Sequence, residues 1–530
     1  MKIKFAFNYK TVILFLAAMI PLLYSLYTNH IWEDYFITFK FSKNLCEGNG
    51  MVYHIGEKVH GFTSPLGTLL PAFCYYISGM KSYEAALWLF RILFCIPCFV
   101  LGAYFVMRTM EKLFKDSHIP ALFVGLMYVL ECKAVMYSVN GMETGIMLFF
   151  MAWTIYLTYD NIARNYIHIG VAWAGLMWTR PDSCIYIAVI MTVHFIFGTS
   201  PRRAIVVSSL KAGLITTVLY LPWFLWAWYY YGSPVPHTIV AKGLFLNENA
   251  IPRMISNFIP AILKVFAPVG NISFSSEETY WPVVLPVFCY ASTFLSLIYW
   301  LIPGFKDKSG KAFSLTFFVL CIYFSYMRHT YLWYYPPLDL FAILAIVSFC
   351  MHLSRKLPWN IGTEKICTYF LGGFCVILLI LLVFTSIQMR IHEREIEMGM
   401  RKQIGEWLKE NSKPKDSVYL ECLGYIGYFS DLKMFDWPGL VSPEVVKLLS
   451  ENYSAPEHIA KLRPTWMVLR PWEAAKMEMN SYVAENYILV RTYDASEKLK
   501  AINFIPGRDY LNYDACFFIY RKKQKTSGTD

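Results

Sequence analysis

The chain is poor in charge. Only 16% of its 530 residues are Asp, Glu, Lys or Arg, against 56% in the hydrophobic set and 18% aromatic. Soluble domains carry about 25% charged residues. This much polar surface cannot cover a water-soluble protein of this length, and the aromatic content excludes a disordered chain. The 29 Gly and 26 Pro follow no period, which excludes collagen-like and low-complexity architectures. No repeat of fixed length recurs, so a solenoid is excluded. The 13 Cys are scattered, mostly inside apolar runs; Cys95-x-x-Cys98 lies in such a run without a βαβ pattern and does not read as a redox motif. The net charge of +11 comes without a basic stripe, so it points to positive membrane loops and not to nucleic acid.

What is present is a series of apolar segments. A crossing helix needs about 20 mostly apolar residues. Candidates lie at 11–27, 85–107, 119–137, 144–159, 166–178, 183–197, 206–230, 281–302, 311–327, 335–353 and 366–387. Two weaker segments, 65–80 and 251–269, read as re-entrant or surface-lying. The reading is therefore a polytopic α-helical membrane protein of about 11 transmembrane helices. The first segment lacks a small-x-small cleavage site and reads as a retained anchor. Lys2, Lys4 and Lys10 place the N-terminus on the cytoplasmic side. The loops bearing Arg108/Lys112/Lys115, Arg202/Arg203/Lys211, Lys306/Lys308/Lys311 and Arg355/Lys356/Lys365 then fall on that same side. Domain 1–388 is the membrane domain, with a first outer loop at 28–64. Domain 389–530 is a soluble extracytoplasmic α/β unit, with strand-like runs at 417–420, 466–469 and 516–520. Arg91, Glu131 and Lys133 stand inside the apolar segments; Arg91 reads as snorkelling outward and the other two as lying near a helix end.

The polar, distinctive pieces gather on the outer side. The first outer loop opens with Trp32-Glu33-Asp34, an acidic pair directly after the first helix. Such carboxylates either cap a helix or face water, or act as a general base on an acceptor hydroxyl. Further along stand Glu143, Arg180, Asp182, His237, Lys242, Arg328, His329, Trp333 and Tyr334. Glu143 reads as a ligand for hydroxyls or as a helix cap. Arg180 reads as a turn-fixing partner of Asp182 or as a phosphate contact. Trp333 and Tyr334 read as a ring platform or as an interfacial belt.

The loop resembles that of GT-C glycosyltransferases, in particular the branch containing the mycobacterial terminal β-(1→2)-arabinofuranosyltransferase. The resemblance rests on Asp34, Ile37-Thr38-Phe39, Asn44-Leu45, Gly48-x-Gly50, Gly56-Glu57 and Gly61-Phe62-Thr63-Ser64-Pro65-Leu66, in order. It continues through Gly141-Met-Glu143-Thr, Thr179-Arg180-Pro181-Asp182, the stretch from Tyr231 through Pro234 and His237 to Lys242, and Trp333-Tyr334-Tyr335. In the tail it includes Gly424-Tyr-Ile-Gly427-Tyr428, Asp436-x-x-Gly439 and Arg463-Pro-Thr-Trp. The departures are Glu33 for Asp, Tyr35 for a small residue, Lys40 for Arg, His54 for Asn, His60 for Glu and Gly67 for Trp. They lie in the loop that meets donor and acceptor, so arabinose is not carried over.

The resemblance implies a hexosyl- or pentosyltransferase of the inner membrane. The enzyme takes a sugar from a polyprenyl-phosphate donor to a hydroxyl of an envelope glycan or lipopolysaccharide on the outer face. Asp34 is then the base and Glu33 its partner. The outward cations Arg180, His237, Lys242, Arg328 and His329 are candidates for the donor phosphate. The one cofactor left open is a divalent cation, Mg or Mn, on Asp34 and Glu33. The alternatives are a transporter or flippase, and a polymerase of lipid-linked glycans.

Overall fold

The computed structural model describes residues 8–243, 250–268, 281–327, 331–356, 362–502, 505–506 and 509–524. Arg328 and His329 lie outside the described residues. Among the described residues, eight helices are long and apolar enough to cross a membrane: Tyr9–Thr28, Tyr83–Leu113, Thr144–Thr179, Arg202–Tyr231, Val284–Leu301, Lys308–Tyr326, Pro336–Arg355 and Lys365–Asn411. A ninth is obtained if Ile119–Leu130 and Cys132–Val139, bent by 55°, form one span. This corrects the expected eleven. Ser183–Phe197, taken as a crossing, has only 15 residues. The segments 144–159 and 166–178 are the two arms of a 36-residue helix, counted once above, that leaves helical geometry at Asn161 (φ −164°, ψ 97°).

That helix doubles back on itself. A straight helix of this length spans about 54 Å. Yet Arg180, just past its end, lies 3.3 Å from Glu143, just before its start. Gly175 likewise packs on the Phe150 ring, where a Cβ would come within 2.3 Å. Asn161 Oδ1 accepts the Arg164 N–H (3.1 Å) and restarts the returning arm. The reversal sits on a rim of ion pairs: Lys112–Asp160 (2.8 Å), Lys10–Glu111 (2.6 Å) and Arg108–Glu111 (3.0 Å). The two open ends of the hairpin, Glu143 and Arg180, form part of the opposite rim.

The charges inside the bundle are held in pairs. Lys133, fully buried, pairs with Asp339 (3.0 Å) and Glu131 (3.4 Å) and donates to the Ala267 carbonyl (3.0 Å). Unpaired charges at such depth are expensive. Arg91 is 1% exposed, so the expectation that it snorkels outward is wrong. It donates instead to the carbonyls of Val139 (2.6 Å) and His30 (3.0 Å). Those carbonyls flank the turn and the loop on the Glu143–Arg180 rim, so Arg91 supports that rim from below. The segments 65–80 and 251–269 form short helices, Pro65–Ile77 and Ala250–Leu263.

The last long helix does not stop at the domain boundary. It runs from Gly362–Ile391 through a π-helical stretch, His392–Arg401, into Lys402–Asn411. The tail then forms a five-stranded sheet: β1 (Ser417–Leu420), β2 (Lys433–Asp436), β3 (Trp466–Leu469), β4 (Tyr487–Asp494) and β5 (Cys516–Lys522). The order is β2-β1-β3-β5-β4; β1 is parallel to β2 and β3, and β5 is antiparallel to β3 and β4. The α/β expectation holds for the tail, with two strands beyond the three expected.

The first loop packs directly on this tail. Lys40, 5% exposed, donates to the Gly427 carbonyl (3.0 Å) and pairs with Asp431 (3.0 Å). His54 Nε2 accepts the Met434 N–H (3.1 Å), and Tyr53 donates to the Leu423 carbonyl (3.3 Å). A Cβ at Gly424 would stand 2.2 Å from the Glu33 carbonyl oxygen, and one at Gly61 would stand 2.7 Å from Val441. Backbone cannot yield as a flexible side chain can. Gly424→Val is therefore expected to cost at least about 1–3 kcal/mol by overpacking and to release the tail to protease in the detergent-solubilised chain. Gly213→Ala, with nothing within 4 Å, is the control expected to melt no lower than the parent. A Gly424→Val protein that melts with the parent contradicts this docking.

Candidate active site

The site begins with a short turn. The Trp32 N–H donates to the Asn140 carbonyl (2.9 Å), which draws the start of the loop helix, Glu33–Cys46, against the turn before Glu143. Gly141 sits at φ +100°, and a Cβ there would lie 2.5 Å from the Tyr35 ring. Both conditions call for glycine. The two acidic side chains then part. Glu33 turns to the tail, where its Oε1 accepts the Gly424 N–H (3.1 Å) and its Oε2 pairs with Arg401 (3.2 Å). Asp34 faces the rim. Among the described residues, no hydrogen bond or ion pair engages its carboxylate.

The groups around Asp34 come from four distant segments. Arg180 holds Asp182 with two nitrogens (3.0 and 3.3 Å) and Glu143 with a third (3.3 Å), while its guanidinium lies over the Tyr334 ring at 4.3 Å. Lys242, at the end of the helix His237–Gly243, stands 5.0 Å from the Tyr331 ring centroid and forms no ion pair among the described residues. Trp333 stacks on Tyr331 (4.5 Å, 14°) and meets Trp32 edge to face (5.5 Å). Burial pushes the Asp34 carboxyl up to about 6. The Lys242 and Arg180 charges pull it down, and Glu143 and Glu421 push it further up. Burial likewise pushes Glu33 up to about 7, against the pull of Arg401. Lys242 stays cationic: burial works against the charge, but Tyr334, Tyr331 and Asp34 outweigh it.

Asp34, Glu143, Arg180, Asp182, Lys242, Trp333 and Tyr334 are thus gathered in one place. His237 is not among them. Its backbone N–H donates to the His60 carbonyl (2.8 Å), and Glu444 of the tail acts on its ring. Both readings of Arg180 and Glu143 resolve toward pairing: Glu143 makes no side-chain cap bond and shares Arg180 with Asp182. Trp333 and Tyr334 line the site and pack on its residues. Gly67, where the resembling family has Trp, matters here. A Cβ at that position would come within 3.3 Å of Glu143 Oε2, so the glycine leaves space beside that carboxylate. Lys40 and His54, two other departures, serve the docking of the tail.

A metal on the acidic pair does not fit these positions. Glu33 is committed to Gly424 and Arg401. Among the described residues, no three His, Cys, Asp or Glu side chains stand close enough to hold an ion. No step is routed through one.

A family described as a domain of unknown function, DUF8728, matches residues 387–520. A terminal beta-(1->2)-arabinofuranosyltransferase of Corynebacterium glutamicum is 25% identical over 261 residues. The match covers 44% of this chain and only 37% of the relative's length. Among solved structures, ArnT from Cupriavidus metallidurans, bound to undecaprenyl phosphate, superposes with a TM-score of 0.56 at 10% identity, over 99% of this chain and all of that one. The Archaeoglobus fulgidus oligosaccharyltransferase AglB, in complex with an inhibitory peptide and a dolichol-phosphate, gives 0.51 at 12% identity over 93% and 74% of the two chains. The chain shares the multi-pass fold of these two structures.

Asp34 also leaves a thermodynamic signature. An unfolded Asp releases its proton near 3.9, whereas folded Asp34 holds it to about 6. Between those values the folded state binds more protons, so stability falls as pH rises and the loss is complete above the folded value. Asp34→Asn is expected to raise the melting temperature at pH 8, worth about 1–3 kcal/mol, and to leave it unchanged at pH 3. Thermal melts at the two pH values check this; equal shifts at both contradict a half-buried carboxylate without an ion-pair partner among the described residues.

Proposed function

We propose that this chain is an integral membrane glycosyltransferase that moves a sugar from a polyprenyl-phosphate donor to a hydroxyl of an envelope glycan or lipopolysaccharide. The observation that carries the reading is a carboxylate, Asp34, set beside a cation, Lys242, at one rim of the bundle, neither with an ion-pair partner among the described residues. The binding of undecaprenyl phosphate by ArnT and of dolichol-phosphate by AglB supports a lipid-linked donor. The arabinofuranosyltransferase relative supports transfer of a pentosyl or hexosyl unit.

In this reading the prenyl tail lies between helices and the phosphate meets Lys242. Asp34 takes the proton of the acceptor hydroxyl as that oxygen bonds to the anomeric carbon. The bond from that carbon to the phosphate oxygen breaks, polyprenyl phosphate leaves, and the anomeric configuration inverts. Lys242 stabilises the phosphate charge. Arg180 is neutralised by Asp182 and Glu143, so it acts as the rigid hub that aims Glu143 at sugar hydroxyls. The stacked Trp333, Tyr331 and Trp32 rings wall the sugar. The rim faces outward and the Lys10 rim faces the cytoplasm of a bacterial cell, with the N-terminus inside and the tail outside, in keeping with the positive loops.

Membranes supplied with lipid-linked sugar test this. Asp34→Asn is expected to lower transfer by about 10²–10⁴-fold, the usual contribution of a general base, without loss of folded protein. Lys242→Ala is expected to weaken donor use in particular. Full transfer by Asp34→Asn would sink the base assignment. A phenotype limited to export of an intact lipid-linked glycan would favour a flippase.

A further inference from the structure

The tail brings its own chemistry to the rim. Glu421 directly follows β1, and Arg470 directly follows β3, the neighbouring parallel strand. The connection from β1 leads to β2 on one side, and the chain then crosses to β3 on the other. The carboxyl ends of β1 and β3 therefore flank a switch point, the place where open α/β sheets hold ligands. Arg470 is 3% exposed and donates to Glu421 (2.6 Å) and Asp514 (2.6 Å). Asp514 in turn pairs with Arg401 (2.7 Å), and Arg401 with Glu33 (3.2 Å). A continuous ionic chain thus runs from the neighbour of Asp34 to Glu421.

Two rings stand at the far end of this chain. Tyr513 lies 4.9 Å from the Arg470 guanidinium on one side and is 56% exposed. Trp472, 45% exposed, lies 6.0 Å from it, ring centre to ring centre, at 45°. The cations Arg470 and Lys476 orient these rings (5.6 and 5.5 Å to Trp472), and both rings stay open to solvent beside a fixed carboxylate that keeps a side-chain exposure of 38%. Rings that cover the apolar face of a sugar, with a carboxylate accepting its hydroxyl protons, suit a neutral polyol chain.

Building on the glycosyltransferase reading, we propose that the carboxyl edge of the tail sheet is an acceptor-glycan subsite. Tyr513 and Trp472 stack on sugar rings, and Glu421, held by Arg470, accepts hydrogen bonds from sugar hydroxyls. The ionic chain sets the subsite beside Asp34, so a glycan bound there presents its end to the base.

The test uses the purified full chain carrying Asp34→Asn, in nanodiscs, on a printed array of arabino-, manno-, gluco- and galacto-oligosaccharides and lipopolysaccharide-core oligosaccharides. At least one class is expected to bind. Removing both rings (Trp472→Ala with Tyr513→Ala) is expected to lower that binding about tenfold or more, and Glu421→Gln by about tenfold. The ring-retaining pair Trp472→Phe and Tyr513→Phe is expected to keep most of it. No binding to any oligosaccharide, or binding unchanged without the rings, overturns the subsite. Because binding is read without turnover, this result is separate from whether Asp34→Asn abolishes transfer.

Discussion

The separation of Glu33 from Asp34 is the constraint on which the site depends. Adjacent carboxylates at the first turn of a helix would ordinarily share the same surroundings. Here the tail takes one of them: Gly424 and Arg401 hold Glu33, and the loop helix is fixed in rotation. Asp34 is thereby aimed at the rim and left without a hydrogen-bond or ion-pair partner for its carboxylate among the described residues. Arg401 is itself held by Glu397 (2.6 Å) and Asp514 (2.7 Å). Breaking such a buried set by removing one member is far more harmful than never having had it. The tail is therefore a structural element of the site, although it lies hundreds of residues away in sequence.

The second constraint is the membrane. The ionic hub of Arg180, Glu143 and Asp182 closes the open ends of the helical hairpin. Arg91 fastens the Val139 and His30 carbonyls beneath it, and the buried Lys133–Asp339 pair ties Cys132–Val139 to Pro336–Lys356. Each of these groups is neutralised or hydrogen-bonded in place, as a low-dielectric setting demands. At the rim, among the described residues, the charges of Asp34 and Lys242 act on each other without an ion-pair partner, beside the packed rings of Trp32, Tyr331 and Trp333.

Much of this was legible in the sequence. Apolar length indicated the membrane domain, and the motifs read as facing outward prove to be neighbours: Asp34, Glu143, Arg180 and Lys242 meet although they span more than 200 positions. Gly141 and Gly424 stood in the matched motifs, but only the structure shows that side chains cannot fit there. Other features were not legible. The break between 159 and 166 showed in the sequence, but not that Asn161 carries the reversal inside one continuous helix. Strand β2 (Lys433–Asp436) is too short and too charged to read as a strand, and β4 exposes most of its residues as an edge. Arg91 reads as a snorkelling cation because sequence cannot show the carbonyls awaiting it. Glu421 carries no motif of its own; only the fold reveals that it ends a strand beside the acidic pair.

The central claim is that Asp34 works as an ionised base in a site that raises its proton affinity. The direct measurement is the pH dependence of kcat for sugar transfer by the purified chain, with saturating lipid-linked donor. The acid limb is predicted to fall with an apparent pKa near 6, the value set by burial against Lys242 and Arg180. It is also predicted to be absent from the residual activity of Asp34→Asn. A kcat that is flat from pH 5 to 8, or an acid limb that persists unchanged in Asp34→Asn, would contradict it.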